Sequence, residues 1–369
     1  MNFKVSYNYL PEQFSNFETF FELWKPVLKS GEFTLGPFVE EFENKFAKFV
    51  NAKFCIATNN GTDALILGLK ALGINNGDEV ITPANSFYAT TGAIVATGAT
   101  PVFCDVDDRY QSDLSDMEKM ITKKTKALLP VHWAGASPSM SKIKDLANTY
   151  SLKVVEDACM AIGGKIEGIH PGTIGDLGAF SMHPLKSLNV AGDGGMVVTD
   201  NPDLYSWMKK YRNHGMKNRD EIDFWGVNMR IQPLQAVIAN YFLDQVDDLV
   251  KKRNENALYL DSLLNKLSPN VIVPYRINSN LETFSLYMVL VKNRDLLLKF
   301  LISKGIEAKI HYPIPLHKQN ASRNLDARSL PKVESQADSL ITIPVHQYLN
   351  TNHMDFVFEA MHEFYDGQG

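Results

Sequence analysis

One lysine stands between a short apolar run and a glycine-rich turn: Gly178-Ala179-Phe180-Ser181-Met182-His183-Pro184-Leu185-Lys186, then Gly192-Asp193-Gly194-Gly195. Glycine lets a backbone take left-handed angles or approach a ligand closely. A lysine in a partly desolvated cleft can lose its proton and attack a carbonyl. An arbitrary lysine is far more often a surface residue, so the surroundings of Lys186 decide its reading. Upstream, Val154-Val155-Glu156-Asp157 ends an apolar run on a carboxylate. Such an aspartate is ordinarily a cap or turn former; beside a pyridine nitrogen it would instead keep the ring protonated and able to accept electrons. A third piece is Thr58-Asn59-Asn60-Gly61-Thr62-Asp63-Ala64, a run that passes through a glycine turn into a helical pattern. Backbone N–H groups and the helix dipole at such a junction favour a phosphate dianion, although the same residues make an ordinary helix start. Ser181 adds a hydroxyl near the lysine.

These residues must be carried by regular elements, and the hydrophobic pattern supplies them. After Gly36-Pro37, Val39, Phe42, Phe46, Phe49 and Val50 fall at helical spacing, with the proline where a first turn tolerates it. Strand-like runs then alternate with helical ones: 54–57, 64–72, 79–81, 88–97, 101–104, 127–131, 153–155, 179–181 and 196–198. Alternation of this kind predicts an α/β domain around a mostly parallel sheet, with its ligand site beyond the carboxyl ends of the strands. A helical pattern from Pro233 to about Val250 closes the region. The remainder mixes helices with strands such as 285–290, so the chain is divided into a large domain, 1–250, and a smaller α+β domain, 251–369.

Composition narrows the function classes. The 369 residues are 45% hydrophobic and 21% charged, as in soluble globular proteins, and no run approaches the roughly 20 apolar residues of a membrane span. The first residues lack the layout of a secretory signal, so the cytoplasm is the expected compartment. Cys55, Cys104 and Cys159 are far apart and form no metal or disulfide spacing. The net charge of -5 is spread along the chain, and basic clusters such as Lys123-Lys124-Thr125-Lys126 are short. They read as solvated faces rather than nucleic-acid or membrane contacts.

Over nearly its whole length the chain resembles the DegT/DnrJ/EryC1/StrS sugar aminotransferases, a family with the fold-type I architecture of pyridoxal-phosphate (PLP) enzymes. The resemblance runs through 60–65, 77–83, 98–103, Glu156-Asp157-Ala158 and the Lys186 segment. It resumes at Arg212-Asn213-His214-Gly215, at Gly226-Val227-Asn228-Met229-Arg230, and at His311-Tyr312-Pro313-Ile314-Pro315-Leu316-His317. It implies that Lys186 carries pyridoxal 5'-phosphate and acts as general base, that Asp157 meets the ring nitrogen, and that Phe87 stacks on the ring. It further implies that Asn60, Gly61, Thr62 and Ser181 lie at the phosphate, completed by Asn228 from a second subunit, in a homodimer with shared sites. His183, Arg230, His311, Tyr312 and His317 are implied at the sugar pocket. Asn60 stands where the family often has Ser, and Met160 where a Gln or His near the cofactor is usual. Related dehydratases replace the lysine by His; here His183 precedes a retained lysine. The implied reaction passes an amino group, from glutamate, to a keto or aldehyde sugar for surface polysaccharide or related glycans. The acceptor is either nucleotide-linked or, as the His183-Pro184-Leu185-Lys186 wording resembles, a free octulosonate oxidised at carbon 8. A PLP-dependent lyase, decarboxylase or dehydratase, and a non-catalytic ligand sensor, are the alternatives.

Overall fold

The computed structural model describes residues 3–325 and 328–367. Eight strands appear in the first two hundred residues: β1 (Phe54–Thr58), β2 (Glu79–Pro83), β3 (Thr100–Cys104), β4 (Thr125–Leu128), β5 (Lys153–Asp157), β6 (Lys165–Ile166), β7 (Leu177–Ser181) and β8 (Gly195–Thr199). All except β6 form one seven-stranded sheet in the order β1-β8-β7-β5-β4-β2-β3. The pairs β2/β3, β2/β4, β4/β5 and β5/β7 are parallel, and β8 runs antiparallel to β1 and β7. This is the mostly parallel α/β sheet that the alternating pattern predicts.

Helices cover both faces, which is why the strands read as continuous apolar runs. Side chains alternate between faces with the period of two that a strand imposes. Cys55, Ala57, Met196 and Val198 pack with helices Pro37–Val50 and Pro233–Leu243, whereas Ile56 and Val197 face the helix Gly61–Ala71 and its neighbours. The close approach of that helix to the sheet is set at Gly61. A Cβ there would lie 2.8 Å from the Ser181 Cβ and 3.1 Å from the Cys159 sulfur. The Asn60 side chain caps the helix by accepting the Asp63 N–H at 2.8 Å.

A second, three-stranded antiparallel sheet follows, ordered β12 (Leu340–Ile343), β11 (Tyr287–Val291), β9 (Val271–Ile272), while β10 (Asn280–Leu281) returns to pair with β6. Helix Val246–Leu264 runs unbroken through the 250/251 division placed from sequence: Val246 and Val250 pack with the large sheet's core, and Ala257, Leu260 and Leu264 with the small one's. Val5, from the other end of the chain, also packs in the small core. A helix whose stripe serves two cores in succession carries no compositional mark where it passes from one to the other. Among the described residues no helix is long and apolar enough to cross a membrane, and no group of three or more His, Cys, Asp or Glu is placed to hold a metal ion.

Candidate active site

The carboxyl ends of the parallel strands open onto a cavity of about 270 Å3. Its floor comes from segments that leave those strands: Asn60, Gly61 and Thr62 after β1, Ser86 and Phe87 after β2, Trp133 after β4, Asp157 at the end of β5, and Ser181 to Lys186 after β7. Segments after helix Val246–Leu264 add Ser285, Leu286, His311 and Tyr312, and the N-terminal segment adds Tyr7. Residues separated by more than a hundred positions thus converge where strand ends splay apart.

Among the described residues, Lys186 is the only Lys or Arg in the cavity lining. Burial pushes its amine below the usual lysine range, against the opposing pull of Cys159 and Asp157. The uncharged amine, which is the nucleophilic form, is therefore easier to reach than on a surface lysine. Cys159 lies beside it but is no rival nucleophile, because burial drives its thiol well above the ordinary cysteine range.

Asp157 is 5% exposed and is fixed from two sides. The Thr90 hydroxyl donates to its Oδ2 at 2.6 Å, and the Cys159 N–H donates to Oδ1 at 3.2 Å. Thr90 is bonded in turn to the Ser86 hydroxyl. Ser86 and Thr90 are four residues apart at the start of helix Tyr88–Thr97, a spacing that brings them together. Thr90→Val keeps the shape and deletes the donor to a buried carboxylate. A hydrogen bond to a charged group contributes about 1.5–3 kcal/mol, so the variant is expected to lose about that much unfolding free energy in denaturant melts of the cofactor-free chain.

Behind Asp157, its neighbour Glu156 points to the other side of β5 and is fully buried. It accepts from the His132 ring at 2.9 Å and from the N–H groups of Gly172, Ile174 and Gly175 at 2.8, 2.6 and 2.6 Å. Burial alone would raise this carboxyl, yet the His132 ring and the backbone donors hold it below the usual range. The brace ties β5 to the turn before β7, and the His132 N–H also bonds the Asp157 carbonyl at 3.0 Å.

Aromatic side chains shape the mouth. Tyr312 lies 5.3 Å from Tyr88, 5.9 Å from Trp133 and 6.2 Å from Phe87, and Tyr7 stacks on His311 at 5.9 Å. Burial brings His311 down to about 4, so its ring is neutral at neutral pH, with Nδ1 2.9 Å from the Thr342 hydroxyl. His183 is also lowered by burial and by Lys186.

The residues expected from sequence therefore separate into two groups. Asn60, Gly61, Thr62, Phe87, Asp157, Met160, Ser181, His183, Lys186, His311 and Tyr312 all line the cavity. His317 does not: it is buried outside, with Nε2 3.0 Å from Glu334 and its ring 6.4 Å from Phe103, because the turn Leu316–Lys318 docks under helix Pro331–Ser339. Arg230 and Asn228 also lie outside the cavity of their own chain. Arg230 donates to Asn213 Oδ1 at 2.6 Å, and Asn228 is exposed. Tyr7, Ser86, Thr90, Trp133 and Ser285 were not expected there. Only the Ser86/Thr90 pair had a sequence signal, its i, i+4 spacing at a helix start.

The residues fit pyridoxal phosphate. Phe87 leaves 47% of its surface open as an aromatic face, Asp157 offers a buried carboxylate, and Lys186 an amine biased towards its neutral form. The start of helix Gly61–Ala71, flanked by Thr62 and Ser181 and kept bare by glycine, suits a phosphate. Fold and site thus fit the class of PLP-dependent enzymes. Residues 16–362 match the DegT/DnrJ/EryC1/StrS aminotransferase family, and the chain belongs to it; it is a PLP-dependent aminotransferase. It is 37% identical over 340 residues to the dTDP-3-amino-3,6-dideoxy-alpha-D-galactopyranose transaminase of Aneurinibacillus thermoaerophilus, covering 92% of this chain and 93% of that one. The structure of S. venezuelae DesV in complex with a ketimine intermediate superposes with a TM-score of 0.94 at 34% identity, covering 98% of each chain. NtdA of Bacillus subtilis, solved with bound cofactor PMP, gives a TM-score of 0.86 at 28% identity, over 98% of this chain and 87% of that one.

Proposed function

We propose that this aminotransferase moves the amino group of glutamate onto a keto sugar carried by a nucleotide, in the cytoplasm, for the synthesis of an amino-sugar glycan. The observation that carries the reading is the cavity itself: one lysine of lowered basicity faces walls of Phe87, Trp133, Tyr7 and Tyr312. Flat apolar rings suit the C–H faces of a sugar, and Ser86, Ser285 and neutral His311 can meet its hydroxyls. The relative named as a dTDP-amino-sugar transaminase supports the nucleotide.

When bound, pyridoxal phosphate supplies the electron sink and the transient store for the amino group. The chain's own residues do the rest. Asp157, pinned by Thr90 and the Cys159 N–H, would hold the ring nitrogen with its carboxylate. The Lys186 Nζ, in its unprotonated form, takes the proton from the donor's α-carbon and redelivers it, then performs the reverse transfer when the sugar enters. Glutamate leaves as 2-oxoglutarate and the sugar leaves as an amino sugar.

A screen decides the acceptor. The protein is converted with glutamate to its amino form, freed of donor, and offered keto sugars with and without a nucleotide, including an octulosonate oxidised at carbon 8. Mass spectrometry is expected to find an amino sugar from the nucleotide-linked set. Turnover of the octulosonate alone would overturn the nucleotide, and release of water or carbon dioxide without amino transfer would point to a lyase.

The dimer belongs to the same proposal. Asn228 lies on an exposed segment next to Trp225, which is 88% exposed, and the Met229 carbonyl accepts the Asn59 N–H at 3.0 Å beside the phosphate turn. A two-fold contact on this face would bring Asn228 of each subunit to the other's site. Mixing inactive Lys186→Ala with inactive Asn228→Asp chains is then expected to restore activity, because one pocket of the heterodimer collects both lesions and the other is intact. Confirmed subunit exchange with no recovery would refute the shared site.

A further inference from the structure

The other buried arginines among the described residues face carboxylates, Arg109 with Glu282 and Arg212 with Glu43, as does the half-buried Arg276 with Asp261. Arg253 does not. It sits on helix Val246–Leu264 with 2% of its surface exposed. Its guanidinium donates to the Tyr9 hydroxyl at 2.8 Å and to the Gln347 side-chain oxygen at 3.0 Å, both uncharged. It also lies over the Tyr9 ring, 5.3 Å from the centroid. Among the described residues no carboxylate forms an ion pair with it.

Tyr9 carries the connection onward. Its hydroxyl, 3% exposed as a residue, donates to the main-chain carbonyl of Lys186 at 3.2 Å. Arg253 also lines a small void with Tyr7, Leu185 and Ser285, and those three residues line the main cavity as well. The guanidinium is therefore one layer of side chains behind the reacting amine. We propose that Arg253 is a positioning residue for Lys186, holding the Tyr9 hydroxyl against the lysine's main chain while its unneutralised charge disfavours a second cation in the cavity.

The electrostatic half follows from the groups around Nζ. Asp157 and Cys159 face it from the end of β5, His183 and Asp193 from its own loop, Tyr7 from the N-terminal segment, and His311 and Tyr312 from the small domain. Burial keeps His311 neutral at about 4, lifts Cys159 and Tyr7 far above their usual ranges and moves Tyr312 up to about 12. On the far side, Arg253 faces Tyr9, Tyr287 and His346, and His346 is likewise lowered to about 4 by burial. Of the charged side chains around it, Asp157 acts to raise the Lys186 amine and Arg253 to lower it. Burial is the largest influence lowering the lysine, and Arg253 acts in the same direction. Unit charges roughly ten ångströms apart in a protein-like medium shift a titration by about one pH unit.

The inference rests on Lys186 being the cofactor-bearing lysine, but its test is read on the amine of the cofactor-free full-length chain, so the two fail separately. The rate of acetylation of Lys186 by acetic anhydride is followed against pH by peptide mass mapping. Arg253→Gln, which keeps polar atoms and removes the charge, is expected to move the midpoint up by about one unit. Arg253→Lys is expected to return it towards wild type, which a purely structural loss would not do. Tyr9→Phe keeps the charge and cuts the bridge. Its midpoint is expected to stay within a few tenths, while the capture of added pyridoxal phosphate by Lys186, seen as visible absorbance, slows about tenfold. An unshifted midpoint in a folded Arg253→Gln chain overturns the proposal, as does an unchanged capture rate in Tyr9→Phe. Should Arg253→Gln fail to fold, the capture rate of Tyr9→Phe still decides it, because the bridge is half of the proposal.

Discussion

Lys186→Ala is expected to fold and bind pyridoxal phosphate weakly, to lack the visible absorbance of a lysine-linked cofactor, and to turn over at least about ten-thousand-fold more slowly. General acid–base transfer alone contributes about 10^2–10^4, and the same residue also supplies the covalent attachment. Among the described residues no other lysine or arginine lines the cavity, so none of them is placed to take over either task. His183, three residues away, is the nearest basic alternative on the loop, but burial and Lys186 lower it, and an imidazole cannot form the linkage. The alanine leaves the Tyr9 hydroxyl bonded to the main-chain carbonyl, so the loop is expected to keep its shape and the unfolding midpoint to move little. Borohydride reduction of the wild-type holoenzyme followed by peptide mapping checks the chemistry: the label must fall on Lys186, and label on another lysine would falsify the assignment.

Sequence reasoning reached the sheet because each of its strands is covered on both faces. Buried runs such as Met196-Val197-Val198 carry the apolar signal whether a residue faces Phe46 or Leu65. It reached Lys186, Asp157 and the Asn60-Gly61-Thr62 turn because all lie at strand ends, where a change of pattern marks the transition. What it missed are residues whose role comes from contacts distant in sequence. Tyr7 reaches the cavity because the N-terminal segment is held against the small sheet, through the Val5–Ile306 bridge and the Glu307 carboxylate on the Tyr7 N–H. Trp133 and His132 stand in a short loop with no periodicity, and the His132–Glu156 brace is visible only once β4 and β5 are neighbours. His317 shows the opposite case. A histidine in a proline-stiffened loop looks available for a ligand, yet Glu334, seventeen residues further along the chain, captures it; the His317 ring and the Leu330 N–H hold that carboxylate at about 2.

Asp157→Asn is expected to weaken cofactor binding about ten- to a hundred-fold and to slow the glutamate half-reaction about ten- to a thousand-fold. The two effects have different origins. A hydrogen bond between charged groups contributes about 1.5–3 kcal/mol, and each 1.4 kcal/mol is a factor of ten in affinity. The rate depends on how much of the ring nitrogen stays protonated: an opposite charge within hydrogen-bond reach moves such an equilibrium by about 1–3 units, and an amide carries no charge to do so. The local structure sharpens the prediction. Thr90 and the Cys159 N–H each donate to one oxygen of Asp157, and an asparagine has only one oxygen for these donors and the ring. With its oxygen on the Cys159 N–H, its NH2 group can meet Thr90 only if that hydroxyl turns to accept, so the variant rearranges local hydrogen bonds as well as losing charge. Thr90→Val/Asp157→Asn removes that hydroxyl without restoring charge, so the half-reaction is expected to stay slow. Stopped-flow absorbance with glutamate measures the rate, and titration with pyridoxal phosphate measures affinity. Near-normal half-reaction rates in Asp157→Asn would show that the partner of the ring nitrogen lies elsewhere in the cavity.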